Sequence, residues 1–201
     1  MYGIYEDGKV IAQFVAPLSV VSNVPVFVSD TLSLKRFVSK RPAQRWEIES
    51  GVEPFSNNAQ NLMVNLITKG SSEAVNVIMP QNYGSAFNRV ATGIGTVRGT
   101  AAAGSTQITL TVSGFSRINI PKGTFIKFQN QSKIYMTVND MTGSGTLNIF
   151  PELRTAITSV DMAWQDDVLG TFYYDTDVVK GMQYIDGILM SIENVKLVEK
   201  L

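Results

Sequence analysis

Two residue types that carry much of protein chemistry are missing altogether: the 201 residues include neither cysteine nor histidine. Without cysteine there is no disulfide, no thiol nucleophile and no thiolate metal site, and the redox compartment is left open. Without histidine the commonest general base and the commonest zinc ligand are gone, and so is every Ser-His-Asp or Cys-His arrangement. Proline is scarce as well, at 7 residues, and only 17% of the chain is charged against 44% hydrophobic. That balance buries enough apolar surface to offset the entropy of ordering, so a folded chain is expected, as one domain or two small ones.

Long apolar runs are also lacking. The longest, such as Val24–Val28, fall far short of the roughly 20 residues a bilayer span needs. The opening MYGIYEDGKVIAQFVAP has no basic start followed by a continuous apolar stretch, so no secretory signal and no membrane partner are expected. Formal net charge is zero, which argues against a dominant pull toward nucleic acid or anionic lipid. The charge is unevenly spread, however. Residues 1–84 balance, residues 85–163 carry seven Lys/Arg against three Asp/Glu, and residues 164–201 carry three against seven, giving adjacent segments of +4 and −4.

What is present reads mostly as β-structure. VPVFVSD, TLSLKRFVS and AQRWEIES, from Val24 onward, are rich in β-branched and aromatic residues and separated by turn formers. Leu32 and Leu34 alternate with Ser33 and Lys35, as in a half-buried strand. The period then changes: Ala59, Leu62, Met63, Leu66 and Ile67 fall at helical spacing, with Ser56 as N-cap and Gly70 as stop. Asn57, Asn58, Gln60, Asn61 and Asn65 fall mainly on the other face, giving one amphipathic helix that covers a sheet. Ala74–Met79 reads as a buried strand that Pro80 and the turn Gln81–Gly84 stop.

From about Ala86 to Met162 the texture turns to Gly, Thr and Ser. Strands are expected at Gln107–Val112, Thr124–Gln129, Lys133–Asn139, Thr146–Phe150 and Ser159–Ala163, with turns at Ile120–Gly123 and Met141–Gly145. Five short strands in about 75 residues suit a small OB-like Greek-key barrel. Asp167–Tyr174 and Gly187–Val198 then return to longer strands. The expected fold is mainly β: a discontinuous β-sandwich-like domain over 1–85 and 163–201 with one covering helix, interrupted by an OB-like β-barrel insertion over 86–162.

No group of residues makes a convincing active site. GIGTVRG, Gly93–Gly99, has neither GxGxxG spacing nor a following helix or Walker lysine, so a flexible lead-in to the insertion outweighs a phosphate loop. Asp166, Asp167, Asp175 and Asp177 offer only a fragment of a calcium loop; solvated loop charge is the simpler reading, although two acids distant in the chain can still form a glycosidase pair. Asn130-Gln131-Ser132 fits a glycosylation sequon, which matters only in a secretory pathway. Phe115, Phe125, Phe128, Tyr135 and Phe150, with Arg117, Lys122, Lys127 and Lys133, raise the question of single-stranded nucleic acid or sugar binding on a barrel face. A barrel this small needs such aromatics inside, so core filling outweighs stacking. Those four basic residues remain the candidate binding face of the insertion. No catalytic residue, cofactor site or metal site is assigned, and no enzyme is expected.

The order of elements resembles a known family. One covering helix over a short β-sandwich, the strand AQRWEIES, a β-rich insertion of roughly 80 residues after NYG, and the phrases GTFIKFQNQSKIYMTVND and LNIFPELR resemble the distal tail protein (Dit) family of long flexible-tailed bacteriophages, especially the phage T-five type with an OB-fold insertion. The resemblance spans the whole chain in order and length. It implies a non-enzymatic virion protein, assembled in the host cytoplasm, that forms a hexameric ring joining the tail tube to the distal tip or baseplate. Its partners would be further copies of itself and the tube and tip proteins. No galectin-like region follows Leu201, so receptor-sugar binding through such a domain is not carried over. A tube or tube-initiator subunit is the second reading, and an OB-type module for single-stranded nucleic acid or oligosaccharide the third. The +4 and −4 segments would suit head-to-tail contacts between copies.

RPAQRWEIES, Arg41–Ser50, brings these readings to one strand. Alternation sends Arg45, Glu47 and Glu49 to one face and Gln44, Trp46, Ile48 and Ser50 to the other. Trp46 and Ile48 are expected to pack beneath the helix. Arg45, Glu47 and Glu49, with Arg41 leading in, are the candidate inter-subunit contact.

Overall fold

The computed structural model describes residues 2–30, 36–40, 43–81, 96–113, 118–165, 168–175 and 182–201. Among the described residues the protein is mainly β, with one helix and a small closed barrel, as its composition and periodicity lead one to expect. The first strands are β1 (Gly3–Glu6) and the 15-residue β2 (Lys9–Asn23), joined through Asp7-Gly8, whose φ values of 48° and 81° are both positive. An Asp-Gly pair of this kind is what a two-residue hairpin needs. β2 pairs along most of its length with β5 (Arg45–Pro54), from Ala12↔Pro54 to Asn23↔Arg45. Its register breaks between Val15 and Ser19, around Pro17, which has no N–H to give to the ladder.

Helix α1 (Ala59–Lys69) follows, with Leu62 and Leu66 fully buried. Ser56 is not its cap. Ser56 lies outside the helix at φ 56°, and Asn58 occupies the cap position without capping it, its amide Nδ2–H turned back to the Phe55 carbonyl at 2.8 Å. Gly70 does end the helix, its N–H bonding to the Leu66 carbonyl. Asn65 departs from the polar face: it is buried, donates to Glu6 at 2.8 Å and accepts from the Tyr174 hydroxyl at 3.2 Å. Burial in turn pushes the Tyr174 hydroxyl pKa up.

β6 (Val75–Ile78), β15 (Leu169–Tyr174), β16 (Met182–Ile185) and β17 (Ile188–Glu199) complete this lobe. The strand order is β15-β6-β1-β2-β5-β17-β16, and β15 also pairs with β17. The sandwich-like layering therefore comes from one sheet that curls round until its sixth strand meets its first. Inside it Ile4, Ile11, Ile48, Val52, Val77, Phe172 and Leu197 pack with the helix leucines.

The barrel lies between these two stretches of sequence. Its ring is β10 (Phe125–Phe128), β11 (Ile134–Thr137), β13 (Gly145–Phe150), β8 (Gln107–Ser113), β7 (Thr96–Ala101) and β14 (Ile157–Ala163). All five strands expected from the sequence are present. The sixth, β7, begins inside the glycine-rich GIGTVRG read as a lead-in. Gly99 belongs there because a Cβ would lie 2.6 Å from the Phe128 ring, so a side chain at that point would displace the barrel core. Of the rest of GIGTVRG, residues 93–95 lie outside the described part. A short pair, β9 (Asn119–Ile120) with β12 (Met141–Thr142), places Ile120 and Met141 in the same core as Phe128 and Tyr135.

One further element belongs to neither ring. β3 (Val26–Asp30) and β4 (Arg36–Lys40) form a two-stranded ribbon between β2 and β5. Leu32, Leu34, Ser33 and Lys35 fall outside the described residues.

Candidate functional site

Trp46 organises the seam between the two lobes. It is buried, as the alternation of β5 requires, in the same core as the helix leucines, and its ring and indole N–H contacts reach the barrel. Its ring stands edge-on to Phe125 at 5.1 Å and to Phe150 at 6.3 Å, and its Nε1–H donates to the Ile134 carbonyl at 2.9 Å. The sequence points to the helix side alone; the barrel contacts of Trp46 are additional, because the Arg45 end of β5 also abuts barrel strands whose aromatics Phe125 and Phe150 receive it. Ile48, two residues on, shares its core with Leu62 and Leu66.

Below the tryptophan sits a buried ion pair. Lys133 Nζ donates to Glu199 Oε2, with only 4% and 0% of their side chains exposed. The same carboxylate accepts the Trp46 N–H at 3.0 Å and the Ile134 N–H at 2.8 Å. A buried charge is tolerable only when its lone pairs are used; three donors, from β5, from the lead-in to β11 and from its first residue, use those of Glu199. Burial pushes the Lys133 pKa down, and Glu199 opposes that shift. Nearby, Lys127 Nζ donates to the Leu169 carbonyl at 2.7 Å, its pKa also lowered by burial. Gln81 clamps the junction a third time, bonding Phe125 N and O at 2.9 and 2.8 Å and the Gln165 carbonyl at 3.1 Å. Gly170 allows the close approach: a Cβ there would stand 2.4 Å from Ile134 Cδ1.

These contacts decide the basic candidates of the insertion. Lys133 and Lys127 are turned into the seam and spend their charge there, so they form no exposed binding face. Lys122 is exposed, its backbone N–H held by Asp140 at 2.8 Å; Arg117 lies outside the described residues. The aromatics follow suit. Phe125, Phe128 and Tyr135 are buried and Phe150 half-buried, leaving none of these four rings as an open stacking platform, and Phe115 is outside the described part. Part of the opposed charge of the +4 and −4 segments is likewise neutralised within the chain, through Lys133 and Glu199.

The outward face of β5 is more engaged than expected. Glu47 is only 13% exposed and accepts from Asn23 Nδ2 at 2.6 Å and Arg45 Nε at 3.1 Å, with Lys196 Nζ at 3.4 Å. The Asn23 amide, followed by Lys196 and Arg45, holds its carboxyl below the usual range against the opposing effect of burial. Glu47 therefore serves the sheet, because β5 is flanked on both sides by β2 and β17 and their side chains reach over it. Arg45 and Glu49 remain exposed. Arg41 falls outside the described residues.

The remaining motifs resolve simply. Asp175 pairs with Lys196 at 2.8 Å, while Asp166, Asp167 and Asp177 lie outside the described part. No group of three or more acidic residues able to hold a metal occurs among the described residues. Within the sequon, Gln131 bonds the Thr155 carbonyl at 2.8 Å and accepts from the Tyr135 hydroxyl at 2.5 Å. No helix among the described residues is long and apolar enough to cross a membrane.

What sequence reasoning passed over is the apolar surface. Val26, Phe27, Val28, Phe37 and Val38 of the β3–β4 ribbon are 43–60% exposed. Tyr184, Ile185, Ile188 and Met190 of the β16–β17 hairpin are 47–60% exposed. A period-2 pattern with apolar residues on both faces, as in VFV, was the available signal for the first. No known family matches the chain, and no curated protein is significantly similar to it.

Proposed function

We propose that the protein is a non-enzymatic structural component of a phage tail that assembles with copies of itself into a ring, joining the tail tube to the distal tip. The reading of a phage component rests on the sequence resemblance; the reading of an assembling part rests on one observation, the β3–β4 ribbon. Antiparallel partners share a face. Val26, Val28 and Val38 therefore lie on one side of this ribbon and Phe27 and Phe37 on the other, and the valine side is 43–55% exposed. A two-stranded ribbon is marginally stable in water by itself, and apolar surface left open on a folded protein marks a place where something binds. The seam described above supports the same reading, since lobes locked through Glu199 and Trp46 would carry load as one body. The inward-turned Lys127 and Lys133 weigh against the nucleic-acid reading.

Light scattering and negative-stain imaging of the purified protein test this. Closed rings several times the 22.0 kDa chain mass are expected. A monomer at every concentration would sink the assembly reading, stacked open tubes would favour a tube subunit, and salt-dependent binding to an oligonucleotide would favour the binding module.

A further inference from the structure

The two exposed apolar hairpins sit at opposite ends of the same sheet. The β3–β4 ribbon leaves it where Asn23 pairs with Arg45, at the start of β5. The β16–β17 hairpin leaves it past Ile192, which pairs with Val52 near the end of β5. Seven residues of β5 separate these points, roughly 24 Å at about 3.4 Å per residue. Each hairpin carries aliphatic side chains turned to solvent: Val26, Val28 and Val38 on the first, Ile185, Ile188 and Met190 on the second.

Their charges are opposite. The stretch 26–40 holds Lys35, Arg36 and Lys40 against Asp30, a net +2, while 182–193 holds Asp186 and Glu193 and no base, a net −2. Like-charged ribbons would repel when brought together, and these attract. The second hairpin is also built to keep its shape. Its turn is Asp186-Gly187, with φ of 51° and 79°, the two positive values that a tight hairpin turn requires. Ile192 at its base and Leu189 near its turn are both buried in the core.

We infer that the β3–β4 ribbon of one copy docks on the β16–β17 hairpin of the next copy, valines against isoleucines, with Arg36 facing Asp186 and Glu193. This rests on the reading of the protein as a self-assembling part and says which surfaces meet. The contact is heterologous, because the two surfaces are different and lie at opposite ends. Such a contact repeats from copy to copy and yields a ring where the rotation closes. A symmetric two-fold dimer through either hairpin alone would leave the other uncovered.

The test uses two variants of the full chain. Val28→Asp with Val38→Asp spoils the ribbon, and Ile185→Asp with Ile188→Asp spoils the hairpin. All four positions are exposed, and near-ultraviolet circular dichroism from Trp46 and Trp164 checks that each variant keeps its fold. Each is expected to sediment as a monomer where the wild type forms rings. Mixed in equal amounts, they are expected to form a 1:1 dimer and nothing larger, since only one intact ribbon and one intact hairpin can meet. If the hairpin variant alone still forms rings, or the mixture stays monomeric while the wild type assembles, the pairing is overturned and assembly itself is not. If the wild type is a monomer throughout, the underlying reading fails first.

Discussion

The seam between the lobes and the ribbon at the end of the sheet are built from similar materials and treated in opposite ways. At the seam, Trp46 is enclosed by Phe125 and Phe150, and the buried carboxylate of Glu199 has three donors. On the ribbon, valines and phenylalanines are 43–60% exposed on both faces. Both regions hold aromatic and β-branched residues in strands, so composition does not distinguish them. The difference is whether the chain supplies its own partner. Where it does, apolar area and buried charge fuse two lobes; the ribbon valines Val26, Val28 and Val38 instead stay 43–55% exposed, the kind of apolar surface that marks a binding place.

The largest effect that would break this comparison is expected at Glu199. Glu199→Ala strands the Lys133 ammonium and two backbone N–H groups in the interior, a loss of roughly 3–5 kcal/mol, visible as a lower midpoint in urea unfolding. A cost near zero would mean that the seam is open to water and the lobes are not fused. Gly170→Ala comes next. Its new Cβ would crowd Ile134 Cδ1 from 2.4 Å, and overpacking of this kind costs about 1–3 kcal/mol; thermal unfolding that is unchanged or improved would show the seam to be loose at that point.

A smaller effect is expected at Asn23, with a pH signature. The Asn23 amide is the first cause of the lowered Glu47 pKa. A carboxylate whose native pKa lies below its unfolded value of 4.5 adds stability that is fully present above that pH and is lost as pH falls through the native value. Asn23→Ala should therefore cost about 1 kcal/mol near neutrality, and the gap to the wild type should narrow in unfolding curves taken well below pH 4. A gap that stays constant with pH would place the contribution of Asn23 elsewhere.

Much of this was legible in the sequence, for identifiable reasons. The helix announced itself through Leu62 and Leu66 at helical spacing, and the alternation of RWEIES put Trp46 and Glu47 on the right sides of β5. Alternation names a face; it does not name what covers that face. The helix is the apolar partner of Trp46 nearest in sequence, but the residues that hold its ring and N–H, Phe125 and Ile134, lie about 80 to 90 residues away. The same limit hid the roles of Lys127 and Lys133, whose acceptors come from the last strands of the chain. β1 and β2 were passed over although Asp7-Gly8 between alternating apolar residues is a strong hairpin signal. Asp186-Gly187 carried the same signal for β16 and β17. β7 was hidden by its glycines, where Gly99 makes room for Phe128.

The smallest effect is expected at Arg45. Its exposed pair with Glu47 is worth about 1 kcal/mol or less, and Arg45→Glu should weaken ring formation by tenfold or less in sedimentation runs over a concentration series. Assembly abolished by that one change would move the main contact from the ribbons to the face of β5.

Hydrogen exchange, followed by mass spectrometry on the assembled wild type and on the Val28→Asp, Val38→Asp variant, tests the contrast most directly. Amides of Trp46 and Ile134 at the seam should stay protected in both, while amides of β3, β4 and β16 should be slow in the wild type and fast in the variant. Ribbon amides that exchange equally fast in both, or seam amides that open in either, would contradict the account.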